Sequence, residues 1–257
     1  MSAVLLEAVR ISKTFAIPSV RRDTVREHFF GLLAPRQIDR LPVLQDVTLA
    51  LHRGDTLGVM GRNGSGKSTL LKVLCGIYPA DRGEVRVHAG ITPILELGVG
   101  WNPELDAIDN IFLLGSVMGL SLAAIRASLD DILAFAEVER FARLPLKHYS
   151  SGMASRLAYA VAFRAVRDVL VLDEIFAVGD AGFRLRCEAR YQELHRAGHT
   201  MVIVSHDPRV ITTFCNRAIL LDSGRIVAEG SGSEIAERYL SAATDPDHRP
   251  VASRGES

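Results

Sequence analysis

A mostly parallel α/β sheet with a small antiparallel β flank and an inserted α-helical lobe is predicted for this chain, on three observations. Strand-like runs DTLGVM, VLVLDE, TMVIVSHD and RAILLD are separated by stretches of helical periodicity, and strands that alternate with helices imply a parallel sheet. Two adjoining β-rich stretches near the N-terminus argue for the antiparallel flank. Segments 107-AIDNIFLLGSVMGL-120 and 122-LAAIRASLDDILAFAEVERF-141 carry apolar residues at i, i+3 and i+4 with acids on the far face. Residues from about 100 to 165 therefore read as a helical lobe.

Taken in order, 4-VLLEAVRI-11 and 45-QDVTLALH-52 alternate apolar and polar, as half-buried strands do. Between them, residues 18–42 form an insert. There Val25, Phe29, Leu32 and Leu33 share a helical face opposite Arg21, Arg22 and Arg26, and Pro35 ends the pattern. A short amphipathic helix bounded by prolines is expected. DTLGVM, GEVRVHA and ITPILE follow as strands, with a helix from Gly66 to about Leu74 after the first. Beyond the helical lobe, the remaining strands are VLVLDE, TMVIVSHD, RAILLD and RIVAEG, with helices at about 183–197 and 207–215. The last residues, ATDPDHRPVASRGES, are polar and proline-containing, and disorder is expected for them.

Composition narrows the classes. With 257 residues and 48% apolar content the chain can bury a full core, which excludes a disordered protein. Thirty basic and thirty acidic side chains cancel, so no electrostatic footprint favours nucleic acid. Cys75, Cys187 and Cys215 are odd in number and widely spaced, as suits reduced thiols rather than a zinc site. The N-terminus lacks a basic run before a long apolar core, and the most apolar stretch, 157–178, is interrupted by charges. The chain is not expected to span a membrane by itself.

The strongest motif is 61-GRNGSGKST-69, which follows the strand-like TLGVM and precedes the helix-like STLLKVL. Its glycines, Gly61, Gly64 and Gly66, let backbone N–H groups around Asn63 turn toward a phosphate, and the helix adds its positive end. Lys67 would meet the β- and γ-phosphates, while the Ser68 hydroxyl, next to Thr69, would ligate Mg²⁺. The second motif is 169-VLVLDE-174, an apolar strand delivering two carboxylates at its C-terminal edge. Asp173 can hold Mg²⁺ through water, and Glu174 can orient and deprotonate an attacking water. Third, 202-VIVSHD-207 puts His206 just past a buried-type strand, within reach of a γ-phosphate. Finally, 149-YSSGMASRLAYAVAFR-164 starts with good N-cap residues and continues with Leu157, Val161 and Ala165 at helical spacing.

In this order and spacing the motifs resemble the nucleotide-binding domain of ATP-binding-cassette proteins, over about residues 4–240. The resemblance implies a P-loop NTPase (RecA-like) core, with residues 1–243 forming one ATPase domain and 244–257 a disordered tail. It implies ATP and Mg²⁺ as ligands, with Ser68, Asp173 and Glu96 on the metal and Glu174 and His206 as catalytic groups. In that family two domains dimerise head to tail, and the signature helix of one faces the γ-phosphate held by the other; Ser150, Ser151 and Gly152 would supply those donors. Phe15 resembles the aromatic that stacks on adenine, and Asp180 resembles the loop that crosses between the two sites. Where the family places a coupling glutamine, Glu96 or Leu97 falls, and Glu96 is the polar one.

Departures from the common pattern point to a branch. LELGVGWNPEL, YSSGMASRLAYAVA, DEIFAVGD and the N-terminal insert look like the ATPase subunits of bacterial polysaccharide exporters, which serve O-antigen, capsule, teichoic acid and galactan-type polymers. This resemblance implies a homodimer working with a separate transmembrane permease, in peripheral contact with the membrane at its cytoplasmic face. It also implies that the insert sits near the channel mouth. Some of these exporters carry a further β-sandwich that reads a cap on the polymer; the stretch after Leu240 is too short and too polar for one, so export without a cap-reading step is expected. A soluble cassette ATPase acting on nucleic acid or ribosomes shares the motifs, but a single P-loop, no heptad run and the charge balance weigh against it. A metabolite kinase would explain neither SSGM nor SHD.

Overall fold

The computed structural model describes residues 3–18, 38–95, 100–173 and 180–244. Its main sheet has six strands in the order β5-β6-β7-β3-β8-β9, formed by β3 (Thr56–Met60), β5 (Ile91–Ile94), β6 (Val169–Asp173), β7 (Thr200–Val204), β8 (Arg217–Asp222) and β9 (Arg225–Gly230). The first five run parallel, and β9 returns antiparallel to β8. A second sheet, β2-β1-β4, is antiparallel and comprises β1 (Val4–Pro18), β2 (Ile38–His52) and β4 (Arg82–Val87). Parallel sheet and antiparallel flank both match the expectation from sequence.

Alternation along each strand explains why the central strands are apolar throughout. In β6, Leu170 and Leu172 enter a core with Phe163, Phe183 and Tyr191 on one face. Val169 and Val171 enter the core on the other face, where β1, β2 and the helix α1 (Lys67–Leu74) pack. Both faces being covered, no position of the strand tolerates a polar side chain before Asp173.

The helical lobe comprises α2 (Ala107–Val117), α3 (Leu122–Ala127), α4 (Leu129–Ala136) and α5 (Ser151–Arg164) around a third core of Ile111, Ile125, Ile132, Leu157 and Val161. The stretch 122–141 is not continuous, as its periodicity suggests, but breaks at Ser128. This buried serine turns its hydroxyl back onto the Ala124 carbonyl at 2.7 Å, which competes with the helical ladder. Three further helices follow among the described residues, α6 (Ala181–Arg196), α7 (Pro208–Phe214) and α8 (Gly232–Thr244), the last without a distinct apolar pattern in the sequence. A reciprocal capping box starts α8: the Ser231 N–H donates to Glu234 Oε2 at 2.8 Å and the Glu234 N–H to Ser231 Oγ at 3.3 Å.

The insert is narrower than 18–42. Pro18 belongs to β1 and Ile38–Pro42 to β2, paired from Val4↔His52 out to Pro18↔Ile38. The amphipathic helix expected within the insert, its face of Val25, Phe29, Leu32 and Leu33, and the tail beyond residue 244 lie outside the described residues.

Candidate nucleotide site

Strand register brings the motifs to one edge. Asp173 on β6 pairs with Val204 on β7, which pairs in turn with Val59 on β3. The three stand level, so the P-loop that begins at Gly61, the carboxylate of Asp173 and the segment Ser205–His206 all leave the sheet at its C-terminal edge, where open α/β sheets bind ligands.

The P-loop conformation follows from its glycines. Gly66 has φ 104°, and a Cβ there would meet the Val43 carbonyl oxygen at 2.7 Å. Gly64 has φ 80° with open space around it. At Gly61 a Cβ would collide with the Leu221 carbonyl and the Ser65 hydroxyl. Lys67 is buried, and its ammonium donates to the carbonyls of Gly61 at 2.8 Å and Arg62 at 3.0 Å, spanning the loop from within. Asn63 and Ser68 are exposed and Thr69 half-buried, so the first turn of α1 opens to solvent. That turn carries N–H groups no helical carbonyl can accept, the usual setting for a phosphate. The Ser65 hydroxyl is buried beneath the loop with no hydrogen-bond partner among the described residues. Ser68 and Asp173 offer hard oxygen donors that fit Mg²⁺, a cation that completes its shell with water and phosphate oxygens.

Phe15 lies on β1, opposite Leu41 on β2, with its ring edge-on to Tyr78 at 5.6 Å and the Lys13 ammonium 5.7 Å from its centroid. Its face is half-buried and continues into the exposed Ile17 and Leu41, giving an apolar platform on that face of the hairpin. A concavity of about 1240 Å³ opens on the other face of the hairpin, lined by Ser12, Thr14 and Ala16, and is not the phosphate site.

The signature segment stands apart from this edge. Ser150 caps α5, accepting from the Met153 N–H at 3.2 Å, while Ser151 is exposed and Gly152 half-buried. These residues bond within their own helix, whose N-terminus faces solvent, and Leu157, Val161 and Ala165 anchor it in the core. Asp180 caps α6, accepting from the Phe183 N–H at 2.9 Å. That bond, aided by Arg156, holds its carboxyl below the ordinary value. His206 is exposed just past β7. Glu174 and Glu96 lie outside the described residues.

Sequence reasoning did not single out three charged residues that the fold gathers beside these caps. Glu137 sits at the C-terminus of α4 and reaches Arg156 on α5 at 2.8 Å and Arg186 on α6 at 2.6 Å. Arg156 is also 3.7 Å from Asp180. No local pattern announces such a cluster, because its members are brought together only by packing of three helices.

The cysteines are free, and burial pushes each thiol up to about 12. No helix among the described residues is long and apolar enough to cross a membrane.

The ABC transporter family profile matches residues 44–177. The O-antigen export system ATP-binding protein RfbB of Myxococcus xanthus is 35% identical over 94% of this chain and 56% of its own length. RfbE of Yersinia enterocolitica, an O-antigen export system ATP-binding protein, is 37% identical over 82% of this chain and 89% of its own. The teichoic acids export ATP-binding protein TagH of Lactiplantibacillus plantarum is 34% identical over 93% and 65%. The chain thus spans about half of the length of the first relative and most of the second. A dimeric ATP-binding cassette solved with ADP and Pi shares the fold at TM-score 0.70 and 22% identity, covering 88% of this chain and 98% of that one. The chain belongs to the ABC transporter family.

Proposed function

We propose that the protein is the ATP-hydrolysing subunit of a transporter that exports a cell-surface polysaccharide or lipid-linked glycan. The ATPase reading is carried by the shared level of the P-loop strand, Asp173 and the Ser205–His206 segment at one sheet edge. The export reading is supported by relatives 33–37% identical over most of the chain, several of which are named as O-antigen or teichoic acid export ATP-binding proteins.

In this reading the backbone N–H groups around Gly64–Thr69 and the Lys67 ammonium hold the β- and γ-phosphates of ATP, and Phe15 stacks on the adenine. Ser68, and Asp173 through water, would hold Mg²⁺, which would neutralise charge on the phosphate oxygens. Glu174 takes the proton of the attacking water and His206 contacts the γ-phosphate. Glu96, in the place of the coupling glutamine, would be a further oxygen ligand for that ion. The solvent-facing N-terminus of α5, with Ser150, Ser151 and Gly152, completes the site of a second copy in a head-to-tail homodimer, since its N–H groups and positive end suit an anion. Asp180 lies at the crossing between the two sites. A separate transmembrane permease forms the path, the dimer sits peripherally at the cytoplasmic face of the membrane, and the insert between β1 and β2 contacts the permease or the membrane surface near its mouth.

Chromosomal replacement of Lys67 by Ala in the host tests this. Polymer should accumulate inside the cell while its synthesis continues. Normal surface polymer in that strain would sink the reading.

A further inference from the structure

We propose that Glu137 is a positioning residue: its carboxylate ties the signature helix α5 to the Asp180-capped helix α6, so that the two helix N-termini move as one. The inference rests on the reading of Ser150–Gly152 and Asp180 as nucleotide-facing, and it adds a group which that reading does not contain.

Geometry carries it. Arg156 and Arg186 each lie six residues beyond the N-cap of their helix, Ser150 and Asp180 respectively. One carboxylate engages both, Oε2 with Arg156 Nη1 at 2.8 Å and Oε1 with Arg186 Nη1 at 2.6 Å. Arg156 Nη1 also stands 3.7 Å from Asp180 Oδ2, which links α5 to the cap of α6 a second time. The Nε atoms of both arginines are buried without a hydrogen-bond partner among the described residues, so the Nη contacts anchor the guanidiniums.

Backbone conformation points the same way. Glu137 ends α4 at φ 57°, ψ 41°, a left-handed position that suits glycine best. Glutamate occupies it, and its carboxylate is what glycine would not supply. Arg186 and then Arg156 hold that carboxyl below its ordinary value, so it is ionised at neutral pH. The Glu137 side chain is half exposed, so the bridge adds little to global stability. Its effect lies in orientation.

Glu137→Gln and Glu137→Gly test this in the full chain, the glycine variant fitting the left-handed backbone. Turnover should fall about tenfold in both, with the KM for ATP within about twofold of wild type, because the P-loop is untouched. In the ATP-free chain, amide hydrogen exchange should accelerate together at the first turns of α5 and α6 and stay unchanged in α1. Glu137→Asp should recover part of both effects. Wild-type turnover in either variant, or unchanged exchange in α5 and α6, would overturn the inference. A wild-type chain without ATPase activity would instead count against the function proposed above, and the exchange measurement would still decide the role of Glu137.

Discussion

Gly66→Ala probes the loop that everything else depends on. Its φ of 104° lies where an L side chain is strained, and a methyl group would press on the Val43 carbonyl at 2.7 Å and on Leu44 Cδ2 at 3.1 Å. Backbone strain costs about 1–2 kcal/mol. The contact with a strand carbonyl that cannot rotate away adds roughly 1–3 kcal/mol. Together these give roughly 2–5 kcal/mol, or a melting temperature lower by about 5–15 °C for a domain of this size. Gly64→Ala is the internal control, since Gly64 also has positive φ but nothing within 4 Å, so only the backbone part remains. Thermal unfolding of the two variants and calorimetric titration with ATP read the difference. ATP affinity of Gly66→Ala should fall at least about tenfold. If Gly66→Ala melts within about 2 °C of Gly64→Ala and binds ATP equally well, this loop geometry is refuted.

Three more outcomes follow from the same geometry. Ser150→Ala removes the acceptor for the Met153 N–H and should lower stability by about 1 kcal/mol, read by urea unfolding, while cutting turnover far more than that loss implies. Leu157→Ala, at a fully buried position under the signature helix, should cost about 2–5 kcal/mol by the same assay. Asp81, Asp180 and Asp207 are held below their ordinary 3.8, by Lys13, the Phe183 N–H and Arg209 respectively, and Glu137 below 4.5 by Arg186. Their folded forms release the proton more readily than the unfolded chain, so their contribution is full above the unfolded values. These side chains are partly exposed, so the melting temperature should hold from pH 7 to about 5 and fall only modestly below about 4 as these carboxylates protonate.

Sequence patterns were most legible where chemistry is local. The P-loop, the apolar run ending at Asp173 and the serine cap of α5 each state their structure within a few residues, because backbone geometry, two-sided burial and capping are short-range requirements. The helix α8 was also legible in principle, through Ser231 and Glu234 at capping-box spacing, but Ile235, Ala236 and Tyr239 form too short an apolar pattern to stand out beside a polar tail. Strands β1 and β2 run on to Pro18 and from Ile38 because each pairs with the other, a long-range condition that propensity does not encode; prolines at 18 and 42 instead suggest loop. The break at Ser128 depends on one hydroxyl choosing the Ala124 carbonyl. Glu137, Arg156 and Arg186 were illegible, since charged residues spread over fifty positions meet only through packing of α4, α5 and α6.

Sedimentation velocity of Glu174→Gln at micromolar concentration, with Mg²⁺-ATP and separately with Mg²⁺-ADP, tests the composite site most directly. With ATP the variant should form a head-to-tail dimer retaining two ATP, abolished when Ser151 is replaced by Glu on the solvent-facing end of α5, and with ADP it should be a monomer. A chain that stays monomeric at saturating ATP, while binding one ATP per monomer with full affinity, would contradict the composite site.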